Sequence, residues 1–383
     1  MRAIEIERRF VYHSPQYPGF TSWCGLWAMP GTELMCCFTQ ATGPLAGRPA
    51  APPEVRHRLE WPPVVGEGEG AMAAEAYDMT GLELANVHLR SRDGGDTWQW
   101  AASDCFRSCM NGITGEGAVA LSDGTLLRGV WGPYLPYDPV PYDGYLQRST
   151  DGGISWGPAE LICGQPGWLF WPKRLRVLRD GRVLAGGGLF RLQGANDTRG
   201  DWSRDSKPAL FVSDPDGRGW SGPIAIVPPH QDHQALGLTE EFDWAELDSG
   251  ELLVVLRADR APGGPCRLQT RLVAAGDAWR PTDVEPAPFP HSGHPELVTA
   301  PGGQVLHVAT TGLSWTSDGG RTWQPLALDD GLQTLRPRPA TGYYPRSVAL
   351  ADGRVLVIGH VGGDDGYGVT DQSIVSLRFR LAR

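Results

Sequence analysis

Short stretches in which apolar and polar residues alternate, each interrupted by a glycine turn, recur along the whole chain. In every copy an apolar stretch leads into a turn of the Asp-Gly or Gly-Gly type, and a second, alternating apolar stretch follows. This arrangement is typical of a β-hairpin. The copies lie at residues 120–130, 177–187, 246–256, 298–308 and 349–359, with a weaker sixth at 28–38.

The spacing of these hairpins predicts how they are arranged. Successive turn glycines are separated by 93, 57, 69, 53 and 50 residues. A period near 50 residues, built only from strands and turns, is typical of a propeller with four-stranded blades. We therefore predict an all-β fold, a six-bladed β-propeller, with residues 1–383 as a single domain. The turn glycines are Gly31, Gly124, Gly181, Gly250, Gly303 and Gly353.

The two ends of the chain and the first interval extend this prediction. Residues 2–13 and 372–381 have the pattern of strands. We expect them to pair in one blade, because that pairing closes the ring and removes exposed sheet edges. The first interval is long because it contains a Pro- and Gly-rich insertion at residues 44–70, which we expect on the face that carries the site.

Composition and charge fit this fold and narrow the range of partners. Hydrophobic residues make up 41% of the 383 residues, and the 51 Gly and 33 Pro are spread along the chain. The formal net charge is −10, and only Lys173 and Lys207 are lysines. Because no Lys/Arg cluster occurs, we expect no nucleic-acid partner. No apolar stretch approaches the length of a membrane span, so no membrane association is expected.

The N-terminal residues and the cysteines bear on location. The segment MRAIEIERRF lacks the apolar core of a signal peptide. Seven cysteines at irregular spacing fit buried free thiols in a reducing compartment. We therefore expect a cytoplasmic protein, or a secreted one if a leader has been removed. The sequence does not indicate an oligomeric state.

An eight-residue turn that ends in tryptophan occurs three times, at 91–98 (SRDGGDTW), 149–156 (STDGGISW) and 316–323 (TSDGGRTW). The aspartate can accept backbone N–H groups across the turn, and a glycine supplies the positive φ that the turn needs. The tryptophan then anchors the turn by packing beneath the hairpin. Degraded copies lie at 213–220 and 273–279.

This turn resembles the Asp-box, or bacterial neuraminidase repeat, of the sialidase superfamily. Together with the six hairpins, the resemblance covers roughly the whole chain and implies a six-bladed propeller with Asp-box turns. It is less specific for activity, because folds of this kind also serve as binding proteins and scaffolds.

Polar and aromatic residues recur at one position of the repeat, nine residues before the turn glycine. In a propeller the innermost strand of each blade begins near the axis, so we expect these side chains to converge there. The positions are Tyr344, His294, Glu241, Pro172 (between Trp171 and Lys173), Gly115 (beside Glu116) and, with one extra residue, Ser22 or Trp23.

Sialidases use a tyrosine nucleophile paired with a glutamate, an aspartate acid/base and three arginines that hold the substrate carboxylate. The segment GYYPRSVALADG resembles the stretch that begins with the nucleophile, which implies Tyr344, with Tyr343 as the alternative. EFDWAELDSGELLVVLR implies Glu241 as the paired glutamate and Arg257 as the second arginine. AYDMTGLELANVHLRSRDGGDTW implies Asp78 as the acid/base.

The chain departs from the family pattern at the other two arginines. Trp23, in TSWCGLW, stands where the first is expected, and residues 307–315, before the last box, contain none. We predict that the substrate differs from ordinary sialosides and is another acidic sugar, or a neutral one. Arg174, Arg176 or Arg346 could replace the missing arginines from another direction. Further candidates for substrate contact are Trp23, Trp171, Lys173, His294 and His360.

The implied residues suit glycoside cleavage, which needs a proton donor for the leaving oxygen and a group that attacks the anomeric carbon. A neutral tyrosine is a better nucleophile than a carboxylate when the sugar carries its own anomeric carboxylate. Because the pKa of tyrosine is about 10, a base such as Glu241 must take its proton. Glu240 and Asp243 are close competitors for that role.

Two segments suggest other features of the site. HQDHQ (230–234) has two histidines three residues apart, a spacing that can bind zinc. The stretch follows Val-Pro-Pro without obvious further ligands, so we interpret it as a loop at the cleft rim and predict no metal and no cofactor. The segment 131–145 is rich in aromatics and proline and is either a sugar-stacking lip or a packed surface loop.

We predict a retaining exo-glycosidase of sialidase type that takes a terminal acidic sugar, with Tyr344, Glu241 and Asp78 as catalytic residues. One alternative is a non-catalytic carbohydrate-binding propeller. The other is a lyase of uronic-acid polysaccharides that uses Tyr344 or His294 as base and Arg257 to neutralise the carboxylate. Hydrogen-bond distance between Tyr344 and Glu241, with Asp78 across the cleft, favours the hydrolase.

Overall fold

A computed structural model describes the chain in thirteen stretches, and within them all regular structure is β: twenty-four strands in six sheets. The prediction of an all-β, six-bladed propeller is confirmed. The described residues are 1–16, 19–43, 83–105, 113–131, 144–163, 167–191, 206–258, 267–276, 278–289, 294–309, 312–328, 345–361 and 373–382.

The blades follow one another along the chain, except that the first strand belongs to the last blade. That strand is β1 (Arg2–His13). Blade one contains β2 (Gly19–Ala28), β3 (Leu34–Thr42), β4 (Glu83–Ser91) and β5 (Gln99–Cys105). Blade two contains β6 (Ile113–Ala120), β7 (Leu126–Trp131) and β8 (Gly144–Ser149). Blade three contains β9 (Trp168–Val177), β10 (Val183–Arg191), β11 (Lys207–Val212) and β12 (Ser221–Ala225).

The second half of the chain supplies the other three blades. Blade four contains β13 (Phe242–Glu246), β14 (Leu252–Arg257), β15 (Arg267–Ala275), β16 (Ala278–Pro281) and the short β17 (Glu285–Pro286). Blade five contains β18 (Glu296–Thr299), β19 (Val305–Ala309), β20 (Gly312–Thr316) and β21 (Gln324–Pro325). Blade six contains β22 (Arg346–Ala349), β23 (Arg354–Val361) and β24 (Ser373–Ala382), with β1 at its outer edge.

The ring is closed by pairing the first strand with the last. β1 runs antiparallel to β24, with Arg2 opposite Ala382 and His13 opposite Ser373, as the sequence predicted. Arg378 of β24 bonds to Glu7 of β1 and to Asp96 of blade one. Pairing and ion pairs therefore join the two ends of the chain across the last seam.

The six hairpin turns have the backbone conformation that their glycines permit. Gly31, Gly124, Gly181, Gly250, Gly303 and Gly353 all have φ between 81° and 90°. In each of the last five turns the glycine N–H donates to the carbonyl three residues earlier. A β-carbon is strained at this φ, so the repeated glycine is required by the turn.

The three eight-residue repeats share one hydrogen-bonding scheme. In the second, Ser149 Oγ accepts from Gly153 N at 2.8 Å and donates to Asp151 at 2.7 Å. Asp151 also accepts from Ser155 N at 2.9 Å. Bonds from the Ser155 hydroxyl, the Ser155 backbone and Ser149 lower the pKa of Asp151 to about 2. In the other repeats similar bonds outweigh burial and lower the pKa of Asp93 and Asp318 to about 2.

The hydrophobic core lies between neighbouring blades. Between blades three and four, for example, Leu184 and Leu210 pack with Trp244, Leu252 and Val254. The fully buried Trp244 ring fits because β10 carries glycine opposite it, where a β-carbon at Gly186 would lie 2.2 Å from the ring. Each seam is thus a sheet-on-sheet core, and the blades stabilise one another.

Asp151→Ala is expected to lower the free energy of unfolding at pH 7 by about 1 kcal/mol, because several turn hydrogen bonds are lost. The folded pKa is below the unfolded value of 3.8, so the stabilisation is present above pH 4 and disappears as the pH falls toward 2. Urea unfolding at several pH values measures this difference. Asp248→Ala, at a 91% exposed aspartate, is the control and should change little.

Candidate functional site

The inner strands leave regular pairing at the repeat position singled out in the sequence. In β2 the register shifts between Ser22 and Gly25, and in β6 between Thr114 and Ala118. In β9 it shifts at Lys173, which is the extra residue between Pro172 and Arg174. In blades four to six the inner strand simply begins just after this position. Bulges redirect side chains, so this level of the axis suits a functional site.

The bulge in β9 depends on glycine in the neighbouring strand. Gly187 of β10 lies opposite Pro172, and a β-carbon there would stand 1.7 Å from the carbonyl oxygen of Trp171. Only glycine accommodates so close a backbone approach. Gly187, in the middle of the Gly-Gly-Gly run at 186–188, therefore creates the space that the Lys173 bulge needs.

Lys173 lies between two carboxylates. Its Nζ is 3.0 Å from Glu240 Oε1 and 3.7 Å from Glu241 Oε1. Arg257 Nη1 is 2.6 Å from the other oxygen of Glu241. Lys173, Glu240 and Glu241 are buried. Glu241 is thus held between an ammonium and a guanidinium group, which favour its ionised form.

Backbone pairing places Glu241 beside Arg257. Arg257 N donates to Glu241 O at 3.0 Å, and Thr239 N donates to Arg257 O at 3.1 Å. The β13–β14 ladder therefore continues beyond the two strands. Thr239 Oγ1 also accepts from Glu241 N at 3.0 Å, which fixes the turn into the strand. The separation of 16 residues between Glu241 and Arg257 corresponds to two opposite positions of one hairpin.

A second set of buried charges, the axial ion-pair network, lies one step nearer to the hairpin turns. Arg174 Nη2 is 2.9 Å from Glu296 Oε1, and Arg346 Nη1 is 3.1 Å from Glu296 Oε2. Arg174 Nε is 3.6 Å from Asp243 Oδ1, and Arg176 Nη2 is 2.6 Å from Asp243 Oδ2. Burial would raise the pKa of Asp243, but Arg176 and Arg174 outweigh it and lower that pKa.

Four members of this network share one repeat position. Arg174, Asp243, Glu296 and Arg346 each stand seven residues before their turn glycine, in blades three to six. The ion pairs between these residues show that this position of the four inner strands converges near the axis. The network was missed from the sequence, although its periodic charges were the signal that could have revealed it.

The three arginines considered as replacements for the missing family arginines are members of this network. Arg174, Arg176 and Arg346 each contact a carboxylate of the propeller itself. Glu296 also accepts from Ser347 N and Ser347 Oγ, both at 2.7 Å. These interactions hold the arginines in place as part of the fold. Whether they also contact a substrate stays a prediction.

His294 lies beside this network and is buried, with 1% exposure. Its Nδ1 is 2.7 Å from Pro295 O, so this nitrogen carries the proton and donates. Burial, and then the Arg346 guanidinium 3.5 Å away, hold the pKa of His294 well below its usual 6.5. The imidazole is therefore neutral at physiological pH.

Of the other predicted site residues, Trp171 and His360 are buried, and only the backbone of Trp23 is described. Trp171 is buried against Phe190, with ring centroids 4.4 Å apart, and Lys173 Nζ lies 5.9 Å from its ring. His360 is buried on β23 opposite Ile374. The Trp23 backbone lies at the β2 bulge, but nothing is described of its side chain.

Several predictions lie outside the described residues. These are the roles of Asp78, Tyr344 and Tyr343, the insertion at 44–70, and residues 132–143 of the aromatic segment. The roles assigned to them stay predictions.

On the hairpin side of the network the axis opens into a cavity of about 440 Å³. It is lined by inner-strand residues such as Trp27, Ala118, Arg176, Trp244 and Thr299. This cavity lies across the buried charges from Glu241.

The HQDHQ segment lies in a loop. His230 Nε2 is 2.8 Å from Asp283 Oδ1 at an exposed position, and His233 Nδ1 is 3.8 Å from Asp232 Oδ1. Within the described stretches, no group of three or more His, Cys, Asp or Glu side chains is arranged to hold a metal ion. No helix in those stretches is long and apolar enough to cross a membrane.

No family model matches the chain, and no curated protein matches it. Solved structures share its fold. A protein of unknown function from Dyadobacter fermentans has 18% identity and a TM-score of 0.61, with 99% of each chain covered. An α-L-arabinofuranosidase of Fusarium graminearum, solved with arabinobiose, has 12% identity and a TM-score of 0.54, with 98% of this chain and 97% of that chain covered.

The leech intramolecular trans-sialidase, solved with 2,7-anhydro-Neu5Ac, is similar over 98% of this chain and 70% of its own. The identity is 11% and the TM-score is 0.54. At these low identities the similarities show the shared propeller fold.

Lys173→Met is expected to lower the free energy of unfolding by about 3 kcal/mol, because two buried carboxylates lose their shared cation. Lys207→Met removes the only other lysine, which is exposed, and should cost less than about 0.5 kcal/mol. Urea unfolding of both variants measures the difference. Adding Glu240→Gln to Lys173→Met should recover part of the loss; equal stability of the two single variants would contradict this account.

His294→Gln is expected to make the protein less sensitive to mild acid. The folded pKa of His294 lies below 6.5, so below that pH the unfolded chain binds a proton that the folded chain excludes. The free energy of unfolding of the wild type therefore falls by about 1.4 kcal/mol for each pH unit in this range. Unfolding free energies of both proteins at pH 7.5, 6 and 5 measure it. Parallel pH curves would contradict the neutral assignment of His294.

Proposed function

We propose that this protein is a retaining exo-glycosidase of sialidase type that removes a terminal acidic sugar from an oligosaccharide or glycoconjugate. Tyr344 is the nucleophile, Glu241 is the base that takes its proton, and Asp78 is the general acid and base. The eight-residue repeats are Asp-boxes of the sialidase superfamily in this proposal. The reaction needs no metal and no cofactor.

The observation that carries the proposal is the position and charge of Glu241. Its carboxylate lies at the axial end of blade four and is held by Lys173 at 3.7 Å and Arg257 at 2.6 Å. A buried carboxylate that two cations hold in place can accept a hydrogen bond from a neighbouring hydroxyl, and so orient it, without moving. The stretch that resembles the sialidase glutamate and arginine supplies both residues.

The steps follow from these roles. Asp78 protonates the leaving oxygen while Tyr344 Oη bonds to the anomeric carbon and passes its proton to Glu241. The bond between the anomeric carbon and the leaving oxygen breaks. Asp78 then takes a proton from water, whose oxygen attacks the anomeric carbon and releases Tyr344, which recovers its proton from Glu241. Two displacements retain the anomeric configuration.

The exposure of Arg257 supports an acidic sugar. Lys173 and Arg257 are balanced by Glu240 and Glu241, but the Arg257 side chain stays 23% exposed. The neutral His294 adds a donor or acceptor without charge. A sugar carboxylate would pair with Arg257 from the side opposite Glu241. The leech trans-sialidase, solved with an anhydrosialic acid, is a protein of this fold that binds such a sugar.

A specific observation favours a neutral sugar as the second candidate. Arg257 lies 2.6 Å from Glu241, so part of its charge is already neutralised within the protein, and two of the three family arginines are absent from the sequence. The Fusarium graminearum enzyme, named an α-L-arabinofuranosidase, shows that this fold is used for a neutral sugar. An α-L-arabinofuranoside is therefore the neutral substrate to test.

Release of fluorophore from an aryl α-sialoside and an aryl α-L-arabinofuranoside is the first assay. We expect turnover of one of them, with kcat reduced at least about a thousandfold in Tyr344→Phe, because the nucleophile is removed. Asp78→Asn should reduce kcat by about a hundredfold or more. The matched control Tyr343→Phe should keep most of the activity.

Four results would contradict the proposal. Loss of activity in Tyr343→Phe but not in Tyr344→Phe would move the nucleophile by one residue. An inverted anomeric product, seen by proton NMR, would exclude a covalent intermediate. No hydrolysis of any compound in a broad panel of aryl glycosides would favour a binding propeller. Formation of an unsaturated uronate from polygalacturonate would favour a lyase.

A further inference from the structure

A groove on the outer edge of the propeller carries an apolar platform that the fold does not need. The groove has a volume of about 290 Å³ and lies at the seam between blades one and two. Trp100 of β5 and Ile154 of the second eight-residue repeat both line it, and they are 55% and 57% exposed. Two of the five large exposed apolar side chains among the described residues are therefore in one groove.

The same turn position in the other repeats is charged. Asp96 stands there in the first repeat and bonds to Arg378 and Arg9 across the seam between blades six and one. Arg321 stands there in the third repeat, in a groove that also contains Asp283. The turn thus folds with a charged residue at this position, and the exposed Ile154 is peculiar to the second seam.

Trp100 is equally peculiar to its blade. It lies two residues after the tryptophan of its repeat, where the other two repeats have the exposed prolines Pro158 and Pro325. The edge strand therefore does not require an aromatic residue there. A tryptophan that leaves half of its surface in water is a common platform for the apolar face of a sugar ring.

Arginines and an amide surround this platform. Arg90, Arg92 and Gln99 line the groove, and none of its lining residues is acidic. Glu33 bonds closely to Arg90 but is 3.6 Å from Arg92 Nε, whose side chain is 70% exposed. Arg92 can therefore turn its guanidinium toward a ligand carboxylate. On a chain with a net charge of −10, this patch favours an anionic ligand.

We propose that this groove is a second carbohydrate-binding site, which holds a chain of carboxylated sugars with one ring stacked on Trp100 and a carboxylate paired with Arg92. It is separate from the axial site, because Trp100 lies on the outermost strand of blade one and Glu241 lies at the inner strand of blade four. It binds without catalysis.

The test is affinity electrophoresis of the full chain in native gels that contain polygalacturonate, neutral arabinan or no polysaccharide. We expect polygalacturonate to retard the wild type, with less retardation as salt is added. Trp100→Ala should raise the apparent Kd about tenfold, a loss of about 1.4 kcal/mol. Trp100→Tyr should keep most of the binding, and Arg92→Gln should weaken it.

Phe10→Ala is the matched control, because Phe10 is a 72% exposed aromatic on the edge strand of another blade. It should bind like the wild type. The inference is overturned if polygalacturonate does not retard the wild type, if Trp100→Ala is retarded as strongly as the wild type, or if arabinan retards the wild type as much as polygalacturonate does.

The outcome is independent of the proposed function. Tyr344→Phe should still be retarded by polygalacturonate, and Trp100→Ala should cleave small aryl glycosides as the wild type does. Retardation that Tyr344→Phe abolishes would place the polysaccharide in the axial site instead and would overturn the second site.

Discussion

The six inner strands share one axis, so side chains at any one level of the propeller must be compatible with those of the neighbouring blades. Seven residues before the turn glycines, this constraint brings Arg174, Asp243, Glu296 and Arg346 together in buried surroundings. Burying a charge without a partner destabilises the fold by several kcal/mol, on the order of 3 to 5. Each of the four is tolerated because another blade supplies its counter-charge, and a one-residue slip of any inner strand would remove that partner.

This network also determines where the candidate chemistry lies. Glu241 lies two residues before Asp243, and His294 lies two residues before Glu296 and 3.5 Å from Arg346 of the network. Lys173 immediately precedes Arg174, and only its bulge turns it to the same side. The buried ion pairs hold these backbones in place, and the groups above them are thereby oriented before any substrate arrives.

The sequence predicted the architecture because the architecture is periodic: hairpin glycines near every 50 residues and three copies of one turn leave few alternatives to a propeller. The same periodicity drew attention to Glu241, His294 and Lys173, whose roles stay predictions. The contacts between blades could not be predicted from the pattern within a single repeat. Arg174 and Glu296, for example, form an ion pair although they are 122 residues apart in the sequence. The β9 bulge depends on Gly187 in another strand, and a single glycine in a strand pattern does not reveal which close approach it serves.

The charges at this level occupy only part of the ring. In blades one and two the corresponding residues are Cys24 and Gly117, and burial raises the pKa of Cys24 to about 12, so its thiol is neutral. The charges described at this level therefore all lie in blades three to six. The groove at Trp100 lies at the edge of the molecule and combines exposed apolar side chains with arginines. A polymer held there would keep its free end at a high effective concentration near the axis, so even weak binding at the edge would matter for a chain that is shortened from its end.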